Sequence, residues 1–300
     1  MRTPFIVMLA LACAVTVAGC TKTDRSSTTT APDASAAPVS SAVPETVPSA
    51  APATIASQAP VTSAPSPLPS VGLTDIDGVQ GQKEIVQLAQ LGVLDVTSGP
   101  FHPGDPVKRR DFVRWLFKAN NAVWADQPSR QIHPADATAQ SSFPDLASSD
   151  PDFRYVQGLS DAGIAVGFPD KKFKADQPLT REQMIAIKSG LDRGGVEKSY
   201  AADDSYAHYN LPSWKDKALV SKTYAAAVAT DVQDDPKDGS PKIDNIGRTF
   251  GAIAMFRPQQ PVTRAQAAVV LNVIGAHERF AAPRSVAQML TATPGPSPSP

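Results

Sequence analysis

Three stretches of this chain repeat one another. Phe101-His-Pro-Gly-Asp-Pro106-Val107-Lys108-Arg109, Phe173-Lys-Ala-Asp-Gln-Pro178-Leu179-Thr180-Arg181 and Phe256-Arg-Pro-Gln-Gln-Pro261-Val262-Thr263-Arg264 share one frame. In each, Pro follows Phe by five residues, an aliphatic comes next, and Arg follows the Phe by eight. Four matching offsets in three ungapped copies mark divergent repeats of one unit. A repeat limits the possible folds more tightly than composition does.

Each copy reads as the start of a helix. Thr180 with Gln183, and Thr263 with Gln266, have the spacing of a capping box, in which side chains satisfy backbone groups the first turn leaves orphaned. Copy 1 has Lys108 in place of Thr, so Asp105 is expected to cap there, with Pro106 at the first helical position. Apolar stripes at spacings of three and four follow: Phe112, Trp115, Leu116 and Ala119; Ile185, Ile187 and Leu191; Ala267, Val270, Leu271 and Ile274. Such helices bury one face. Trp115 falls on its stripe and belongs to the core, whereas Trp124 lies past it and is free to be exposed.

Arg109, Arg181 and Arg264 sit in the first turn, where the helix dipole disfavours a cation. Two readings stand. The arginines make ion pairs that hold the repeats together, or each joins free helix N–H groups around an anion.

Upstream of each unit lies a shorter helical pattern. Leu73-Thr-Asp75 opens copy 1 and Ile85, Leu88, Ala89 and Leu91 share a face. Phe143-Pro-Asp145 opens copy 2, Phe153 to Ile164 forms its helix, and Gly163 to Asp170 makes a turn. Trp214-Lys-Asp216 opens copy 3, with a helix from Leu219 to Val228 and an insertion over 231–247. A lone helix pair of this size cannot close a core, so the three copies should pack on one another.

This combination resembles the S-layer homology repeat. Copy 2 carries the resemblance almost throughout, in Asp145, Gly163, Gly167, Asp170, Phe173, Thr180 and Arg181. Copies 1 and 3 carry it around the Phe-to-Arg unit. The resemblance implies a mainly α fold, with three tandem helix-loop-helix repeats at 71–125, 141–195 and 210–278 packed as one pseudo-threefold unit. It also implies binding to a cell-wall polysaccharide or peptidoglycan-linked polymer, often pyruvylated, without catalysis. The carried-over glycan-binding positions are Asp75, Asp145 and Asp216, Arg109, Arg181 and Arg264, and Gly163 and Gly167. The chain departs from the pattern in three ways. Copy 1 has no aromatic residue between Asp75 and Leu94, Lys108 replaces Thr, and copy 3 exchanges the Gly-rich turn for its insertion. One working groove involving copy 2 is therefore expected rather than three. A protein that kept this fold but binds envelope proteins instead of glycan is the alternative.

The ends of the chain have a different character. Residues 1–19 read as an export signal: Arg2, an apolar run from Phe5 to Ala18, then Val17-Ala18-Gly19-Cys20. That ending resembles the lipobox of bacterial lipoproteins, which implies cleavage before Cys20 and acylation of Cys20. Thr21, rather than Asp, follows the Cys. In a cell with two membranes this resembles the outer-membrane sorting pattern; otherwise the anchor would sit on the outer face of the plasma membrane. The other cysteine, Cys13, leaves with the signal, so no disulfide or thiolate site is available. Residues 20–70 are rich in Ser, Thr, Ala and Pro and read as a disordered tether. Such a tether spans about 40 Å as a coil and about 150 Å when extended. Residues 293–300 read as a disordered tail.

Lys plus Arg total 28 against 29 Asp plus Glu, which leaves no basic footprint for nucleic acid. Asp75-Ile-Asp77-Gly78 and the Asp234–Gly239 stretch hint at calcium loops. The second, however, has Pro236 at its third position and Asn245 at its twelfth. His102, His133, His208 and His277 lack metal-ligand spacing, and no nucleophile elbow, phosphate loop or dinucleotide fingerprint occurs. No metal, cofactor or catalytic residue is expected, and the sequence leaves the oligomeric state open.

Overall fold

The computed structural model describes residues 69–164, 167–168, 170–194, 204–232, 243–278 and 281–291. The signal sequence, Cys20, the tether up to residue 68, the Asp234–Gly239 stretch and the tail lie outside them. Among the described residues, three buried amides close a ring. Val107 N–H donates to Val262 O at 2.9 Å, Val262 N–H to Leu179 O at 2.9 Å, and Leu179 N–H to Val107 O at 3.0 Å. These are the aliphatic positions of the three repeated units. The flanking prolines suit the place, because a residue without an N–H can only accept. Single bridges pair Pro106 with Thr263, Lys108 with Pro178, and Thr180 with Pro261.

The fold is mainly helical. The first helices are α1 (Gln82–Gln90), α2 (Arg109–Val123), α3 (Phe153–Asp161) and α4 (Arg181–Arg193). They are followed by α5 (Asp204–Tyr209), α6 (Lys222–Val232), α7 (Asn245–Phe250), α8 (Arg264–Leu271) and α9 (Val286–Thr291). The helices α2, α4 and α8 start at the three arginines. At α8 the capping box is complete: Gln266 N–H donates to Thr263 Oγ1 at 3.2 Å, and Thr263 N–H to Gln266 Oε1 at 3.1 Å. At α4, Thr180 N–H donates to Gln183 Oε1 at 3.4 Å.

The start of α2 differs from the sequence expectation. Pro106 is not its first residue; Lys108 occupies the cap position, without a side-chain cap. The next unit performs the capping instead. Arg109 N–H donates to Gln177 O and Arg110 N–H to Ala175 O, both at 3.0 Å. The same exchange recurs from Arg181 and Glu182 to Gln260 and Pro258, and from Arg264 and Ala265 to Asp105 and Pro103. Two of the orphan amides at each helix start are thereby satisfied by a neighbour. They are not free for an anion.

Helix packing follows the same handover. The helix α3 packs on α2, α6 on α4, and α1 on α8, so each upstream helix lies against the capped helix of another unit. The stripes read from the sequence are buried, including Phe112, Trp115, Leu116, Ile185, Leu191, Val270 and Leu271. Ile274 is buried too, but in a strand rather than on the helix. The strand Val273–Ile274 pairs antiparallel with Arg284–Ser285, and Gly72–Leu73 pairs in parallel with Ser98–Gly99.

Trp124 is not exposed. It keeps 2% of its surface, and its Nε1–H donates to Gly275 O at 3.1 Å. The guanidinium carbons of Arg130 and Arg284 lie 4.9 and 4.4 Å from its ring centre. Among the described residues no helix is long and apolar enough to cross a membrane.

Candidate functional site

The three opening aspartates do one job. Asp75 accepts the amides of Phe101 and His102, both at 2.7 Å. Asp145 accepts those of Phe173 and Lys174, both at 2.8 Å. Asp216 accepts those of Phe256 and Arg257 at 2.9 and 2.7 Å. The second residue of each pair is left-handed, with φ of 59°, 57° and 54° at His102, Lys174 and Arg257. A carboxylate that bridges two consecutive amides can hold a non-glycine residue in that region. Each carboxylate therefore closes its own repeat. The Phe101 amide holds the Asp75 carboxyl below its ordinary value.

The three arginines point outward from their own repeats into the next. Arg109 Nη1 donates to Gln183 Oε1 at 3.3 Å, and its guanidinium lies over Phe168 at 4.4 Å and Phe173 at 5.5 Å. Arg181 Nη1 donates to Phe256 O at 3.0 Å and lies over Phe250 at 4.1 Å. Arg264 Nε donates to Phe101 O at 2.8 Å and lies over Phe101 and Trp115 at 4.7 and 4.9 Å. A cation on an aromatic face gains most where water is excluded.

Their surroundings separate them. Arg109 is 2% exposed, and burial pulls its pKa down to about 10. Arg264 is half-buried; burial lowers its pKa, while Asp111, Asp95 and Asp105 oppose that shift. Nearby, Arg110 pairs with Asp150, Asp152 and Asp176, and Arg114 with Asp95, Asp111 and Asp152. That side of the molecule neutralises its own charge. Arg181 differs. Burial lowers its pKa first, and the neighbouring Arg257 lowers it further, against Asp216.

Arg181 and Arg257 line one cleft of about 510 Å³. Gln80, Gln266, Thr249 and Met255 contribute to its wall, and among the described residues no carboxylate does. Arg257 is exposed, whereas Arg181 and Thr249 are 9% and 2% exposed. Neither Arg181 Nε nor Thr249 Oγ1 has a hydrogen-bond partner among the described residues. Buried polar atoms normally find one. Two cations, side-chain amides and two unpartnered polar atoms suit an oxygen-rich anion.

Residues 142–185 and 254–268 match the S-layer homology domain. No curated protein matches the chain. S-layer homology domains are generally binding modules, and the match suggests cell-wall or envelope binding in general.

Within the S-layer homology segment, Gly163 and Gly167 have separate backbone roles. Gly163 stops α3 with φ of 77°, and Ile164 N–H donates back to Leu159 O at 3.0 Å. A Cβ on Gly167 would lie 2.6 Å from Phe143 Cε1. Sequence reasoning missed Arg257, although a signal existed: His102, Lys174 and Arg257 all follow the repeated Phe. Lys174 pairs with Asp170 at 3.0 Å and lies 4.2 Å from the Phe168 ring centre. Thr249 and Gln80 carried no motif, because they come from the insertion side of copy 3 and from the start of copy 1.

Proposed function

We propose that this protein is a non-catalytic anchor for an acidic cell-wall polysaccharide, and that the cleft of Arg181 and Arg257 is its working site. The observation that carries the reading is the pairing of two guanidiniums in a cleft that no carboxylate lines among the described residues. Arg109 is more deeply buried, at 2% exposure against 9% for Arg181, and Arg264 faces the chain's own aspartates. An anionic sugar would place its acid group between Arg181 and Arg257 and direct oxygens to Thr249 and Gln266. Among the described residues the cleft lining lacks the paired carboxylates that glycoside hydrolysis requires.

We infer a pseudo-threefold body from the cyclic handover of amides, arginines and helices. The lipobox at Cys20 and the Ser/Thr/Pro-rich tether support placing this body on a lipid anchor, which would join a bilayer to the wall. The test is sedimentation of the full chain with native wall sacculi and with sacculi stripped of their secondary polymer. Binding to native sacculi alone, lost in Arg181→Gln, is expected. Equal binding to both preparations, or to neither, would overturn the reading.

The state of Arg109 and Arg264 favours a second reading, in which the fold serves a protein partner. Co-purification of a stoichiometric protein without any sacculus binding would select it.

A further inference from the structure

The Arg181 cleft has a neighbour. Ala252, Ile253 and Ala254 form a ridge whose residues line both that cleft and a second one of about 530 Å³. Ala252 and Ala254 are exposed, and Met255, which continues the ridge, is 42% exposed. The second cleft has a different chemistry. Its lining includes Trp214, Pro212, Val232 and Ile246 and, among the described residues, no Lys or Arg. Asp244 is its charged member, and its Oδ1 accepts the Gly247 amide at 2.9 Å.

Trp214 is held firmly. Its ring stacks on Phe256 at 4.7 Å with an interplanar angle of 16°, and Phe256 is the residue whose carbonyl receives Arg181. Lys215 N–H donates to Ala254 O at 2.9 Å, which ties the Trp214 segment to the ridge. A cationic cleft and an apolar, aromatic one thus share a wall and a common support. A sugar ring has an apolar C–H face and a polar rim, and an aromatic or proline surface accepts that face. A cleft with a carboxylate and no cation disfavours an anion.

We propose that the Trp214 cleft is a second saccharide subsite, which takes a neutral sugar joined directly to the acidic sugar held by Arg181 and Arg257. The proposal rests on the reading of the Arg181 cleft as the glycan site. It adds a chemical order: an acidic residue on one side of the 252–254 ridge and a neutral one on the other.

The experiment titrates wall polymer, released from sacculi, into the full chain and follows tryptophan emission and calorimetric heat. Trp115 and Trp124 are 0% and 2% exposed, so Trp214, at 7%, is the reporter of the three. Polymer should change the emission of the wild-type chain, and Trp214→Phe, which preserves a ring over Phe256, should abolish that change. Pro212→Asp puts a charge into the second cleft alone. It should weaken polymer binding roughly tenfold, the scale of one lost apolar contact. Unchanged affinity in Pro212→Asp, with binding still lost in Arg181→Gln, would overturn the second subsite and leave the first. An emission change that persists in Trp214→Phe would also overturn it. Unchanged binding in Arg181→Gln would remove the reading on which the proposal stands.

Discussion

Arg181 Nη1 donates to the carbonyl of Phe256 at 3.0 Å, so the cation that begins helix α4 is fixed by the repeat that follows it. The same side chain has a buried Nε without a partner. The guanidinium thus has one bonded nitrogen and one without a partner among the described residues. Arg181→Gln should therefore cost about 1 kcal/mol of stability, the scale of one hydrogen bond. It should weaken wall binding by about 2–5 kcal/mol, the scale of breaking a desolvated charge pair. Thermal unfolding and sacculus binding on the same preparation separate the two effects.

Arg109 and Arg264 should behave differently. Arg109 is enclosed by Phe168, Phe173 and Gln183, so Arg109→Ala leaves a large gap between the first two repeats. A loss of about 3 kcal/mol is expected, the range for truncating a large buried side chain. Arg264→Ala should cost less because its site is half-buried. Denaturant midpoints should rank the variants in that order, and the surviving folded fraction of each should bind sacculi like wild type.

The aspartate pins offer a graded test. Asp216 is 5% exposed, whereas Asp145 is exposed. Asp216→Ala strands the Phe256 amide in a buried site and the Arg257 amide in a part-buried one, and should cost about 3 kcal/mol. In Asp145→Ala water can reach the Lys174 amide, so the loss should be smaller. Asp216→Ala should also release Arg257 from its left-handed conformation, and wall binding should fall with it. Circular dichroism melts together with binding isotherms check both outcomes.

Much of this fold is local and therefore legible. The Phe-to-Arg units, the Thr263–Gln266 box and the buried faces of α2 and α4 follow from spacings of eight residues or fewer. The handover between repeats is not local. Nothing near Arg110 announces that its amide will meet Ala175 O, or that α1 will lie on α8. The aspartates illustrate the limit. Their recurrence at each opening marked them as special, but a recurrent acid reads equally as a ligand or as an internal clamp. The second carboxylate–amide bond, 29 residues away at Lys174, shows the clamp at Asp145, and no local spacing announces it. The acidic side of Arg264 and the lining of the Arg181 cleft draw on residues from different repeats, so no single motif could show either.

A buried charge cluster controls the wall of that cleft, and it sets a pH dependence. Asp231, at the end of α6, is 1% exposed. It accepts Asn245 Nδ2–H at 2.8 Å and the Ile246 amide at 3.1 Å, which fixes the start of α7. The far end of α7 carries Thr249 and Phe250, both in the Arg181 cleft. Asp192 and Lys188 from α4 form an ion pair beside it, and Arg248 Nη2–H donates to Asn245 Oδ1 at 2.9 Å. Burial raises the Asp231 pKa to about 6, with the Asn245 and Ile246 bonds and Arg193 opposing and Asp192 adding to the rise. Its ordinary value is 3.8. Between these values the folded chain holds a proton that the unfolded chain has released. The Asp231 contribution to stability therefore grows as pH falls from about 7 to about 4, by about 3 kcal/mol at most. His277 acts in the opposite sense: burial lowers its pKa, so stability from that residue declines as pH falls below 6.5. The difference in unfolding free energy between wild type and Asp231→Asn isolates the first term. That difference should shift in favour of wild type as the pH drops from 7 to 4, and a pH-independent difference would show that Asp231 stays ionised in the fold.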